Sequence, residues 1–155
     1  MAGLVFSLAR QYADAITAFR KAISLQPDYP PNYALLGEAQ YQQGDFEAAR
    51  SSCEAALNDE MGQVCLAMVY RKLGREVDAE AMLQKVSSSI GDSTAYDVAT
   101  IYAQWGDIPQ ALHWLEIAVR RRDSDLSQLR AEPEFDPLRK EPRFQVIEQE
   151  LKFPK

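Results

Sequence analysis

The side chains best suited to chemistry in this 155-residue chain are few. His113 is the single histidine, so neither a histidine-based metal cluster nor a two-histidine proton relay can be assembled. Placed between Leu112 and Trp114 in a helical pattern, it reads as an ordinary, partly exposed residue. Cys53 and Cys65 are the two cysteines. Cys53 falls on the apolar stripe of its helix and Cys65 near the start of the next, so the two can approach each other. With no further cysteine or histidine in company, they read as free packing residues rather than as a disulfide or a metal site. The sequence offers no Gly-rich phosphate loop, no Ser/His/Asp set and no pair of carboxylates framed by apolar residues. It therefore reads as a non-enzyme that uses no cofactor and no metal.

Charge narrows the partners. Seventeen basic against 23 acidic residues give a net charge of −6, which opposes non-specific binding to phosphate backbones; no nucleic acid is expected. The one basic run, Arg120-Arg121-Arg122, is met at once by Asp123 and Asp125. Cations are favoured at a helix C-terminus, so the run reads as helix-end compensation; the alternative is contact with a phosphate or an acidic peptide. No apolar run approaches the roughly 20 residues of a membrane span. Residues 1–9 lack a basic leader and are short for a signal sequence, which makes the cytoplasm the default compartment.

The elements that position these residues follow from a repeat. Arg10-Gln11-Tyr12-Ala13-Asp14-Ala15, Gly44-Asp45-Phe46-Glu47-Ala48-Ala49, Gly74-Arg75-Glu76-Val77-Asp78-Ala79 and Gly106-Asp107-Ile108-Pro109-Gln110-Ala111 start 34, 30 and 32 residues apart. A period in the low thirties with a turn in each unit marks stacked helical hairpins. Before Gly44, Tyr33 to Tyr41 carry apolar residues at helical spacing. Gly44 can end that helix in the left-handed conformation, and Asp45 can cap the next. Phe46, Ala49, Cys53, Ala56 and Leu57 then line one stripe, while small Gly37 and Ala49 let the two backbones approach. Leu66, Ala67, Tyr70, Ala79 and Leu83 fit the same template, as do Val98, Ala99, Tyr102, Ala111, Leu115 and Ala118. Pro27 stops the second helix of the first unit.

This arrangement resembles the tetratricopeptide repeat family over residues 1 to about 120. Tyr12, Ala15, Phe19, Ala22 and Pro27 agree with the family pattern, as do Tyr33, Leu36, Gly37, Phe46 and Ala49. The later units lack the terminal Pro. The resemblance implies an all-α, right-handed superhelix of stacked antiparallel hairpins. Residues 1–122 would form about four helix pairs, the first truncated, and residues 123–155 C-terminal capping helices. Asp123 to Arg130 predict a helix capped by Asp123 or Ser124; beyond it Pro133, Pro137 and Pro142 each stand where a helix can begin. This tail resembles those that close tetratricopeptide regions in bacterial winged-helix activators, serine/threonine kinases and adenylate cyclases. Phe135, Leu138, Phe144, Ile147 and Leu151 are expected to cover the apolar flank of the fourth hairpin, because a terminal hairpin cannot bury both faces alone.

The family's function is protein binding in a concave groove lined by first helices, so the implied partner is a protein or peptide segment. The groove would show Leu35, Glu38, Tyr41, Gln42, Met68, Arg71, Lys72, Asp97 and Thr100, with Tyr41 and Met68 giving apolar contact and Arg71 and Lys72 orienting an acidic group. The clamp by which co-chaperones of the family grip acidic C-termini is absent: the corresponding places hold Ala34, Leu35, Glu38, Met61 and Cys65. A second reading is a structural domain that self-associates. Only nine residues precede Arg10, and Leu4, Val5, Phe6 and Leu8 cannot all face their own hairpin. An uncovered apolar end seeks another surface, which predicts a homodimer through the N-terminal hairpin, end to end or with first helices swapped.

Overall fold

The computed structural model describes residues 2–89 and 94–151. The fold is all-α, built of consecutive helix hairpins, with no strand among the described residues. The helices group into two compact units, residues 1–84 and 85–155.

The first unit holds α1 (Ala2–Leu8), α2 (Tyr12–Leu25), α3 (Pro30–Gln43), α4 (Phe46–Glu54), α5 (Glu60–Lys72) and most of α6 (Glu76–Ser87). Its turns fall where the repeat places them. Gly44 and Gly74 take φ of 88° and 73°, and Arg10 stands at the equivalent turn with φ 60°. Behind Gly44, the Asp45 carboxylate accepts from the Ala48 N–H at 3.2 Å, satisfying one of the donors a helix start leaves unpaired. Asp59 does the same for Met61 at the head of α5, at 3.1 Å. Successive helices pack pairwise from α1 to α5, and α3 also lies against α5. Ala15, Ile16, Phe19, Leu36 and Ala39 form one core cluster, against which Phe6, Ile23 and Leu35 pack.

Close approach in the second hairpin depends on Gly37. A Cβ at that position would collide with the Cys53 sulfur and press on the Ala49 carbonyl oxygen at 3.1 Å. Here the structure corrects the sequence reading: Cys53 and Cys65 are joined in a disulfide, their Cα atoms 6.0 Å apart. They are not free packing residues. Periodicity places Cys53 on a buried stripe and Cys65 near the start of the next helix, close enough to approach, but it does not reveal that the packing of α5 on α4 brings the two sulfurs together.

The second unit contains α7 (Thr94–Trp105), α8 (Ile108–Arg121), two 3-10 helices (Ser124–Gln128 and Pro133–Leu138) and α9 (Pro142–Glu150). Gly106, at φ 80°, turns α7 into α8, and Asp107 caps α8 by accepting from the Gln110 N–H at 3.2 Å. The tail shares the core of this hairpin. Phe135, Leu138, Phe144 and Ile147 are buried with Tyr96, Ala99, Leu112 and Leu115, and Leu151 packs at the edge. Two details differ from expectation. The segment after Asp123 winds as a short 3-10 helix, and Pro137 lies inside the second 3-10 helix rather than at a helix start. The expected cap is present at the first: the Asp123 carboxylate, 5% exposed, accepts from both the Asp125 N–H and the Tyr96 N–H, each at 3.2 Å.

Candidate functional site

The first helices α3 and α5 are neighbours within the first unit, and they carry seven of the nine expected groove residues. Leu35, Glu38 and Gln42 follow helical spacing along α3 and are half-buried. Arg71 and Lys72 form the last turn of α5, where cations complement the helix dipole. Lys72 is exposed, and Arg71 is half-buried with its guanidinium 3.6 Å from Glu76 Oε1.

Two expected contact residues are placed differently. Tyr41 is 5% exposed and Met68 1%. The Tyr41 ring lies 5.5 Å from that of Phe46, inside its own hairpin. Met68 belongs to an unbroken buried run from Val64 to Tyr70, so α5 has no apolar stripe left over for a ligand at that point. Both residues support the scaffold rather than line an open wall. Asp97 and Thr100 lie on α7 in the second unit. Asp97 is half-buried, while Thr100 is buried and its hydroxyl donates to the Tyr96 carbonyl at 3.0 Å.

On α1, Leu4, Val5 and Leu8 are exposed by 39%, 65% and 40%. Phe6 instead turns inward against the α2–α3 cluster. The expected apolar face therefore consists of Leu4, Val5 and Leu8 alone.

Sequence reasoning missed two polar constructions. Between the second and third hairpins, the Tyr70 hydroxyl of α5 donates to Glu54 Oε1 of α4 at 3.2 Å, and the Arg75 guanidinium lies 4.3 Å from the Tyr70 ring centroid. Burial, and then the Glu54 charge, hold the Tyr70 hydroxyl above the usual tyrosine range. In the second unit, a cleft of about 310 Å³ opens between α8 and α9, with Val119, Val146 and Ile147 as apolar lining. Arg143 and Glu116 pair at 2.7 Å across it. Arg120 of the basic run also lines this cleft, a placement that needed the α8–α9 packing to be seen. Among the described residues, no group of three or more His, Cys, Asp or Glu is placed to hold a metal ion. Nor is any described helix long and apolar enough to cross a membrane.

An all-α chain of hairpins, each turned by a left-handed residue and packed through small side chains, defines a helical repeat protein. Residues 8–64, from the end of α1 into the first turns of α5, match the family model described as tetratricopeptide repeat. Over this stretch the chain is similar to the tetratricopeptide repeat family, whose repeats generally mediate protein–protein interaction and are not catalytic. No curated protein matches the chain.

Proposed function

We propose that this chain is a protein-interaction module, without catalytic activity and without a nucleic-acid partner, that holds a peptide or protein segment on the α3–α5 face of its first unit. The observation that carries the reading is the side-by-side packing of two first helices, α3 inside the matched repeat region and α5 reached by it as far as residue 64. Leu35, Glu38, Gln42, Arg71 and Lys72 stay at least partly accessible there. Leu35 supplies apolar contact, Glu38 and Gln42 hydrogen-bonding capacity, and the cationic end of α5 orients an acidic group on the ligand. Buried Tyr41 and Met68 fix the spacing of the two helices. Panning a displayed peptide library on the full chain tests this. Acidic sequences should be enriched, and reversal of Arg71 and Lys72 to Glu should abolish their binding with the circular dichroism spectrum unchanged. Enriched peptides indifferent to the reversal would move the site elsewhere.

A second reading, self-association through α1, rests on the exposure of Leu4, Val5 and Leu8. Light scattering over a range of concentrations separates it from a monomer: a mass that stays near 17.5 kDa rejects the dimer. If a dimer forms, Val5→Asp should dissociate it, because an unpartnered charge is costly inside an interface. Phe6 is unsuited to that test, since its ring serves the hairpin core.

A further inference from the structure

We infer that the Cys53–Cys65 bridge is a permanent structural cross-link, made as the chain folds in an oxidising compartment, and that it pins α5 to α4 from inside the core. Both cysteines are 0% exposed, and their Cα separation of 6.0 Å falls within the roughly 4.4–6.8 Å that a disulfide spans. Cys53 lies directly under α3, where Gly37 has no side chain to interfere. Cys65 lies within the buried run of α5 from Val64 to Tyr70. The bridge therefore meets three helices, and it closes the connection between the second and third hairpins across 12 positions of sequence.

The chemistry sets the order of events. Two thiols become one S–S bond by losing two protons and two electrons. The electrons pass by thiol–disulfide exchange to an exchangeable disulfide, that of a protein oxidant or of oxidised glutathione, which leaves as two thiols. Exchange requires a thiolate to reach the donor sulfur, and neither cysteine is reachable once α3, α4 and α5 have packed. Oxidation must accompany folding, and afterwards reductants are shut out. A regulatory bridge has the opposite design, being exposed and readily reduced. Bridges of this enclosed kind are sustained in secreted, lumenal or periplasmic settings, while the cytosol keeps thiols reduced. The inference replaces the cytoplasmic default and is independent of whether α3 and α5 bind a ligand.

Redox trapping in the intact cells that carry the chain tests the compartment: acid quenching, then alkylation in denaturant and intact-mass measurement. Both cysteines should escape alkylation; two alkylated thiols would overturn the inference. For permanence, the purified oxidised chain is exposed to dithiothreitol with and without guanidinium chloride. The bridge should survive in native buffer and be reduced only on unfolding, whereas equal rates in the two conditions would show a switch. Cys53→Ala with Cys65→Ala should lower the melting temperature by about 5–10 °C, and an unchanged value would deny the bridge its structural role. The first two readouts use the unaltered sequence and stand even if that variant does not fold.

Discussion

The Tyr96 hydroxyl donates to Glu132 Oε2 at 2.7 Å, joining the first turn of α7 to the tail 36 residues later. Around this bond, the Tyr96 and Phe135 rings meet edge to face at 5.1 Å, and Arg139 donates to the Glu132 backbone carbonyl at 3.0 Å. Burial is the main force on the carboxyl; the Glu134 charge, and to a lesser degree that of Asp125, add to it, and the Tyr96 bond opposes them. Glu132 is pushed up from 4.5 to about 7. Tyr96 is raised by burial and by the same carboxylate.

The sign of the resulting pH dependence follows. Between 4.5 and about 7, the folded chain holds a proton on Glu132 that the unfolded chain releases, so this contribution falls as pH rises. It is complete below the lower value and lost above the upper one, amounting to about 3 kcal/mol at most. Urea unfolding of Glu132→Gln across this range should show a flatter pH profile than the parent and higher stability above pH ~7. Parallel profiles would remove Glu132 as the titrating group.

Gly37→Ala should destabilise the first unit by about 1–3 kcal/mol. The added Cβ meets a sulfur held by its bond to Cys65, with the Ala49 carbonyl close behind, and neither neighbour can swing away. Thermal unfolding followed by circular dichroism measures this; a neutral effect would mean that α3 and α4 stand further apart than described.

Arg10→Gly should have the opposite sign. Arg10 occupies the left-handed region at the turn where the other three hairpins place glycine. Relieving the Cβ strain there is worth about 0.5–1 kcal/mol after glycine's own entropic cost. Denaturant midpoints of the two proteins decide it, and a loss of stability would show that the Arg10 side chain matters more than its backbone.

Phe144→Ala should cost about 3–5 kcal/mol. The ring is fully buried in the core shared by α7, α8 and the tail, so its removal leaves a cavity lined by side chains from all three. Removing everything from Asp123 onward should be more damaging still, since Tyr96 and Leu115 would lose their cover. Calorimetry that detects no change in either protein would contradict the shared core.

The fold was legible where one residue type has one physical use. Gly44, Gly74 and Gly106 mark turns because few residues accept positive φ, and Asp45 and Asp107 mark helix starts because their carboxylates reach the free N–H groups. The apolar residues of the tail were legible for the same reason, as large side chains with no other place to go. What escaped was everything that depends on which stripe meets which. Cys53 could be placed on a buried face and Cys65 near it on the next helix, but the two could not be joined. Tyr41 and Met68 lie on first helices, yet α5 is buried around most of its circumference, which its alternation of small and apolar residues does not announce. The cap by Asp123 was legible, but Tyr96, Glu132 and Asp123 are distant in sequence, so the bonds of Tyr96 to the Glu132 and Asp123 carboxylates emerge only from the packed tail.

Hydrogen–deuterium exchange of the full chain, with and without an acidic peptide recovered from the library, tests the central claim most directly. The account predicts slower exchange on binding along α3 and in the last turn of α5, and no such change when Arg71 and Lys72 are reversed to Glu. Protection confined to α8 and α9, or to α1, with α3 and α5 unchanged, would contradict it.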